Sequence, residues 1–317
     1  MDNFAISTSW KSDLCSDIKR MLSEIRDAGF SAIEVSYNLV PERLLELSRL
    51  IGEFDIRVLS VHNFCPMPQE RIKGRIAPCD YYRLSSLDEA ERLKAIEYTK
   101  RSVDTAKSLR AKVLVVHAGT VELDRVFTGK LLELCKEGKA NSKEYQIFKE
   151  EFLRIREAKK VPYLENTVKS LGEIVSYAEN SGIKVGLEVR YYPNEIPNIE
   201  EAGYLLELFS SQGLVYWHDV GHAEVNEKLG ITKHIEYLRR FKGNTGGIHI
   251  HDLRGIKDHL APFCGEFDFS KILPYLKDER LIKVIEAHPP ASSDEIKTAM
   301  YKLTVDKNRA VDINKSS

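Results

Sequence analysis

Eight short runs of aliphatic and β-branched residues recur along the chain, and between them apolar positions return every three or four residues. The runs are FAIST (4–8), AIEVS (32–36), RVLSVH (57–62), KVLVVH (112–117), KVGLEV (184–189), LVYWHD (214–219), GIHIHD (247–252) and IKVIEA (282–287). Most are almost continuously apolar, the pattern of strands covered on both faces. The intervening stretches have helical period: Ile18, Leu22, Ile25 and Ala28 share one face, as do Leu44, Leu47, Leu50, Ile51 and Phe54. Ser86 with Glu89, Asn198 with Glu201 and Ser292 with Glu295 have the spacing of reciprocal helix caps, and Pro41 suits a first helical turn. Eight strand–helix units predict an α/β fold, a single closed (β/α)₈ barrel over residues 1–304. A doubly wound open sheet would have fewer strands and a glycine-rich phosphate turn after the first; here that turn reads TSWKSDLC, and no G-x-G-x-x-G or P-loop occurs.

Two connections exceed what a minimal barrel needs, 62–87 and 119–162, and both leave C-terminal strand ends. The second contains KLLELCKEGKANSKEYQIFKEEFLRIREAKK, which predicts a helical insertion over the C-terminal face at 120–161, readable as a lid or as a solvated decoration. Residues 305–317 read as a polar tail. Hydrophobic residues make up 43% of the 317, enough for a core without staples. The five cysteines (Cys15, Cys65, Cys79, Cys135, Cys264) are scattered without a C-x-x-C pair and read as free thiols. With no secretory or membrane-spanning segment in view, the cytoplasm is the expected compartment. Charge balances at 47 basic against 48 acidic residues, which argues against a nucleic-acid partner without excluding a local basic patch. The expected partner is a small-molecule substrate, and a homo-oligomer is compatible with the fold.

The nine histidines are not spread evenly. His62, His117, His218, His222, His249, His251 and His288 fall at or just past the end of a run, the rim where barrel enzymes assemble their chemistry. His234 lies in a helix and His259 in the loop after the seventh run. Glu188, Asp219 and Glu286 join this rim from apolar surroundings. An unpaired carboxylate buried there costs several kcal/mol, a cost that a divalent cation removes. Glu188, Asp219, His249 and Glu286 come from four neighbouring strands and converge on one point above the axis. Alternation turns His218 away from Asp219, and His288 reads as a neighbour of the site. Arg190 and Arg254 read equally as substrate clamps or as salt-bridge partners.

SVH (60–62), VVHAG (115–119), LEVR (187–190), HDVGHA (218–223), GIHIHD, CGEFDF (264–269) and VIEAH (284–288) together resemble the xylose-isomerase-like barrels, a superfamily that also holds endonuclease-IV-type enzymes acting on abasic DNA. The resemblance spans essentially the whole chain. It implies a metal set of Glu188, Asp219, His249 and Glu286, with Glu188 and Glu286 also the proton-transferring bases and His222 touching substrate. The endonuclease branch implies a trinuclear zinc centre, which His62, His117, Glu188, Asp219, His222, His249 and Glu286 match. That branch's Asp-x-His triplet is replaced here by adjacent Asp258 and His259.

Three readings follow. The first is an isomerase or epimerase of a small sugar or sugar-like ketone, working through an enediolate with Mn²⁺, Mg²⁺, Co²⁺ or Zn²⁺ as cofactor, and with His222, Arg190, Arg254, His251 and His259 on the substrate side. The second is a hydrolase of a phosphodiester or related bond, with a second ion on His62 and His117 and the loop QERIKGRIAPCDYYR (69–83) as a candidate anion holder. The third is a barrel that binds a ligand without turning it over.

Overall fold

A computed structural model of the chain describes residues 3–12, 17–70 and 77–312, with residue 125 and residues 306–312 described in backbone only. Cys15 and positions 71–76 of the basic loop lie outside the described residues. The eight apolar runs form strands β1 (Phe4–Ser7), β2 (Ala32–Val35), β3 (Arg57–His62), β4 (Val113–Val116), β5 (Lys184–Glu188), β6 (Leu214–Asp219), β7 (Thr245–Ile250) and β8 (Ile282–Ile285). Each pairs in parallel with the next, and β8 pairs with β1, closing the barrel. The seventh strand is displaced from its expected span. It ends at Ile250, so His251 and Asp252 leave the barrel and open a hairpin of Asp252–Arg254 against Lys257–Leu260.

The helices are α1 (Ile18–Asp27), α2 (Pro41–Leu50), α3 (Glu89–Ser108), α4 (Arg125–Lys136), α5 (Lys143–Asn180), α6 (Ile199–Leu208), α7 (Val220–Lys228), α8 (His234–Phe241), α9 (Leu273–Leu276) and α10 (Ser293–Asp312). Asn198 and Glu201 cap α6 reciprocally, and Ser292 and Glu295 do the same for α10. The expected Ser86–Glu89 box does not form. Asp88 caps α3 instead, because its carboxylate reaches the amides of Ala90 and Glu91 while the Ser86 hydroxyl accepts from the Asp88 amide. The long connection after β4 carries two helices, and the second runs through Pro162 without a break into the barrel wall. It docks on the end of α7, where the Tyr145 hydroxyl donates to Leu229 O (3.0 Å) and Lys149 Nζ to Gly230 O (3.0 Å). The last helix extends to Asp312, past residue 305 where the sequence suggests a tail. No helix among the described residues is long and apolar enough to cross a membrane.

Inside the barrel the strand pleat builds two storeys. Ala5, Ala32, Leu59, Val113, Val115, Trp217, Ile282 and Val284 form an apolar layer. Its largest member, Trp217, fits because the adjacent strand offers Gly247, where a Cβ would stand 2.3 Å from the indole ring. Two residues past Ala32, Val115, Trp217 and Val284 of this layer come Glu34, His117, Asp219 and Glu286, and two past Gly186 on β5 and Gly247 on β7 come Glu188 and His249.

Candidate metal centre

The upper storey begins with four buried side chains whose donor atoms lie within 4.8 Å of one another: Glu188, Asp219, His249 and Glu286. His249 Nδ1 stands 3.0 Å from Glu188 Oε1, 3.0 Å from Glu286 Oε2 and 3.6 Å from Asp219 Oδ2. Asp219 has a second task. It caps α7, accepting the His222 amide at 2.7 Å, and the helix N-terminus favours its negative charge. This is why β6 stops where it does: its last residue is also the cap of the helix that presents His222.

Two further groups flank the first. His62 Nδ1 donates to Asn63 O (2.9 Å) and His117 Nδ1 meets Asp80 Oδ1 (2.8 Å), so both rings turn Nε2 toward Glu188 Oε2, at 3.4 and 2.8 Å. His222 Nδ1 donates to Val189 O (3.0 Å) and faces Asp258 Oδ2 with Nε2 (3.7 Å), while His259 Nδ1 lies 3.2 Å from Asp258 Oδ1. His222, Asp258 and His259 thus form a third group. Although Asp258 and His259 are adjacent, the hairpin brings both to His222, with His259 at φ 58. The Asp252 carboxylate knits this loop by accepting the amides of Leu253, Gly265 and Phe267 at 2.7, 2.8 and 3.0 Å. Rings whose outer N–H is held by a carbonyl or carboxylate are oriented in the way metal-ligating histidines require.

The remaining residues singled out from sequence divide. His251 is fully buried beneath the loop; its Nδ1 accepts the His259 amide (3.0 Å), which leaves Nε2–H to donate to Asp219 (3.0 Å). Both ring nitrogens are engaged and it does not line the cleft, though it gathers with Asp219, His259 and Glu286 as a candidate ligand group. Arg190 is locked to Glu195 Oε1 through Nε (3.1 Å) and Nη2 (2.9 Å) and contacts His117, the salt-bridge alternative rather than a free clamp. Arg254 is exposed on the cleft rim and donates to Cys264 O. His218 points outward to Tyr216 and His234, as alternation predicts. His288 stacks on His259 at 4.0 Å; burial and that neighbour pull it down to about 3. Glu34, Asp80 and Asp258 belong to the site and were not among its expected members.

Burial alone would push every carboxylate here up and every imidazole down. The close pairing reverses most of this. Burial raises Glu188, but hydrogen bonds from His117, His249 and His62 carry it well below the usual carboxylate range. Asp219 is held down against burial by His222, His251 and His249, and Glu286 by His249 and His259. Conversely, His249 stands well above its ordinary value despite burial, because of Glu286 and Glu34, and His117 does so despite burial and Arg190, because of Asp80. For His222 burial prevails and its value falls. The facing carboxylates therefore favour the protonated forms of His249 and His117, and an incoming cation competes with those protons. Mn²⁺ or Zn²⁺ binding is expected to release protons, with apparent affinity falling about tenfold per pH unit for each proton displaced as pH drops. Calorimetry in two buffers of different ionisation enthalpy measures this; identical heats would contradict it.

Three carboxylates and an imidazole are the donor set of a divalent cation such as Mn²⁺, Mg²⁺, Co²⁺ or Zn²⁺, and the mutual crowding of buried negative oxygens fits such an ion. The groups open into a cleft of about 850 Å³ walled by Tyr37, Tyr191, Tyr192 and Lys136 from the insertion.

A family model described as a xylose isomerase-like TIM barrel matches residues 22–303. The uncharacterized protein MJ1311 of Methanocaldococcus jannaschii is 24% identical over 294 residues, 90% of this chain and 82% of that protein. Among solved structures, the 3-keto-D-glucoside 4-epimerase YcjR of E. coli superposes with a TM-score of 0.67 at 15% identity, covering 96% of this chain and 99% of that one. The IOLI protein with a bound zinc atom superposes at 0.64 with 18% identity, covering 96% and 97%.

Proposed function

Because the chain belongs to the xylose isomerase-like TIM barrel family, we propose that it is a divalent-metal-dependent isomerase or epimerase of a small sugar or sugar-like ketone. One observation carries this reading: Glu188 and Glu286, from β5 and β8, close on His249 Nδ1 from separate strands at 3.0 Å each, at the floor of a cleft of sugar size. The epimerase and the zinc-bearing barrel among its structural neighbours support it. Glu188, Asp219, His249 and Glu286 would hold the ion, which when bound supplies Lewis-acid polarisation of a carbonyl and its neighbouring hydroxyl.

The chain's own groups then divide the work. Glu188 and Glu286 would take and return the proton on the carbon beside the carbonyl, the facing histidines favouring the ionised form that this needs. His222, on the cleft wall with Nδ1 committed to Val189 O, offers Nε2 to a substrate hydroxyl. Arg190 holds the Glu188 side of the site in place through Glu195, and Arg254 and Lys136 stand at the mouth.

The test is a panel of ketoses and keto-sugars in D₂O. Turnover is expected to vanish in chelator, return with Mn²⁺ or Co²⁺, and place solvent deuterium on the substrate carbon. Absence of exchange across the panel overturns the reading.

A second reading, a multi-metal hydrolase, is favoured by one specific arrangement: His62 and His117 both address Glu188 Oε2, and His222, Asp258 and His259 gather beside Asp219. His62 and His117 would then help Glu188 hold a second ion, which would supply water activation. Metal analysis separates the two readings, since one tightly held ion per chain supports the isomerase and two or three support the hydrolase.

A further inference from the structure

We infer that Glu34 is a positioning residue for the ion site, holding the His249 ring by its far nitrogen so that Nδ1 is the atom turned toward Glu188, Asp219 and Glu286. The inference rests on the reading of that group as a cation site.

Glu34 is the last interior residue of β2, on the opposite side of His249 from the four-donor group, and its side chain is entirely buried. Its Oε1 and Oε2 lie 3.0 and 3.2 Å from His249 Nε2, and Oε2 also accepts the Ser60 hydroxyl at 2.7 Å. With both carboxylate oxygens facing it, Nε2 is the ring nitrogen that donates its N–H to Glu34. In the neutral ring that leaves the lone pair on Nδ1, the nitrogen that stands 3.0 Å from Glu188 and from Glu286. A ring rotated by half a turn about its Cβ–Cγ bond would bring Nε2 and Nδ1 to other neighbours, and the Glu34 contact selects against that state. Trp217 adds a wall, its indole edge-on to the imidazole at 5.3 Å.

A carboxylate that accepts a ligating imidazole's outer N–H raises the ring's basicity toward a cation in front, and such outer partners typically govern metal affinity by about 10- to 100-fold. Nothing else in the surroundings of Glu34 demands a carboxylate there. Its other partner is a serine, and Ala32 on the same face of the same strand belongs to the apolar layer.

The experiment measures Zn²⁺ affinity by competition with a chromogenic chelator for the wild-type chain, Glu34→Ala and Glu34→Gln, with apo-protein thermal unfolding as a folding control. Glu34→Ala is expected to weaken Zn²⁺ by about 10- to 100-fold. Glu34→Gln, whose amide oxygen still accepts from Nε2–H, is expected to recover most of the loss. Equal affinity in wild type and a folded Glu34→Ala overturns the inference while leaving the ion site standing. A wild-type chain that binds no ion overturns the site reading itself. Should Glu34→Ala not fold, the wild-type chain alone decides: with ¹⁵N-histidine and ¹¹³Cd²⁺ bound, coupling to His249 Nδ1 and a proton on Nε2 support the assignment, and coupling to Nε2 refutes it.

Discussion

Glu188→Gln is expected to lower kcat by roughly 10³- to 10⁴-fold on whatever ketose the chain turns over, the upper range for removing a positioned proton-transfer group. The Glu188 carboxylate meets several members of the site at once. Its Oε1 faces His249 Nδ1 at 3.0 Å, and its Oε2 faces His117 Nε2 at 2.8 Å and Arg190 Nη1 at 3.4 Å. Glutamine preserves the volume, so the apolar layer beneath is not disturbed. What it removes is a carboxylate charge facing His117 and His249, one anionic donor from the four, and the base itself. Metal content measured alongside kcat separates these losses. Full metal with lost turnover isolates the base, whereas loss of both assigns Glu188 mainly to holding the ion. A variant retaining a tenth or more of wild-type turnover would remove Glu188 from the mechanism.

Arg156→Ala is expected to destabilise the fold by about 3–5 kcal/mol, the cost of stranding one member of a buried ion pair. Arg156 Nη1 and Nη2 engage the two carboxylate oxygens of Glu201 at 2.7 and 2.8 Å, and the side chains are only 3% and 2% exposed. Glu201 simultaneously completes the cap of α6, so its charge cannot be relieved by swinging into solvent. Nη2 also donates to the backbone of Glu195, the residue that holds Arg190 beside Glu188. Urea unfolding reads the loss directly, and an unchanged midpoint would show the pair to be dispensable. The same linkage makes the insertion helix a structural arm of the site rather than an ornament, whether or not its outer half moves.

The barrel was legible in the sequence because parallel strands buried on both faces are written as uninterrupted apolar runs, and eight of them leave little choice of architecture. The four-donor group was legible for a related reason. A glutamate or aspartate in VGLEV, VYWHD or KVIEA contradicts its surroundings, and parity with Gly186, Trp217 and Val284 turns it inward. By the same rule AIEVS announced Glu34, which follows Ala32 with identical parity. What the sequence does not show is its partner, His249, which is 215 positions away. Asp80 had no such signal, lying in an irregular connection whose course depends on tertiary contacts. The place of His251 was not legible because the apolar run continues past Ile250, whereas the ladder ends there and a hairpin begins at Asp252. Asp258 and His259 were visible as residues, but their approach to His222 depends on a backbone turn that carries no distinctive periodicity.

The two storeys of the barrel share their strands, and this ties quality of folding to competence. A slip of one residue in the pairing of β6 would send Trp217 outward and lift His218 into the interior, and with them Asp219 would swing away from its partners. A molecule whose hydrophobic floor is correctly laid has thereby aimed its reactive groups. One whose floor is wrong is inert as well as unstable, so proofreading of the core is also proofreading of the chemistry.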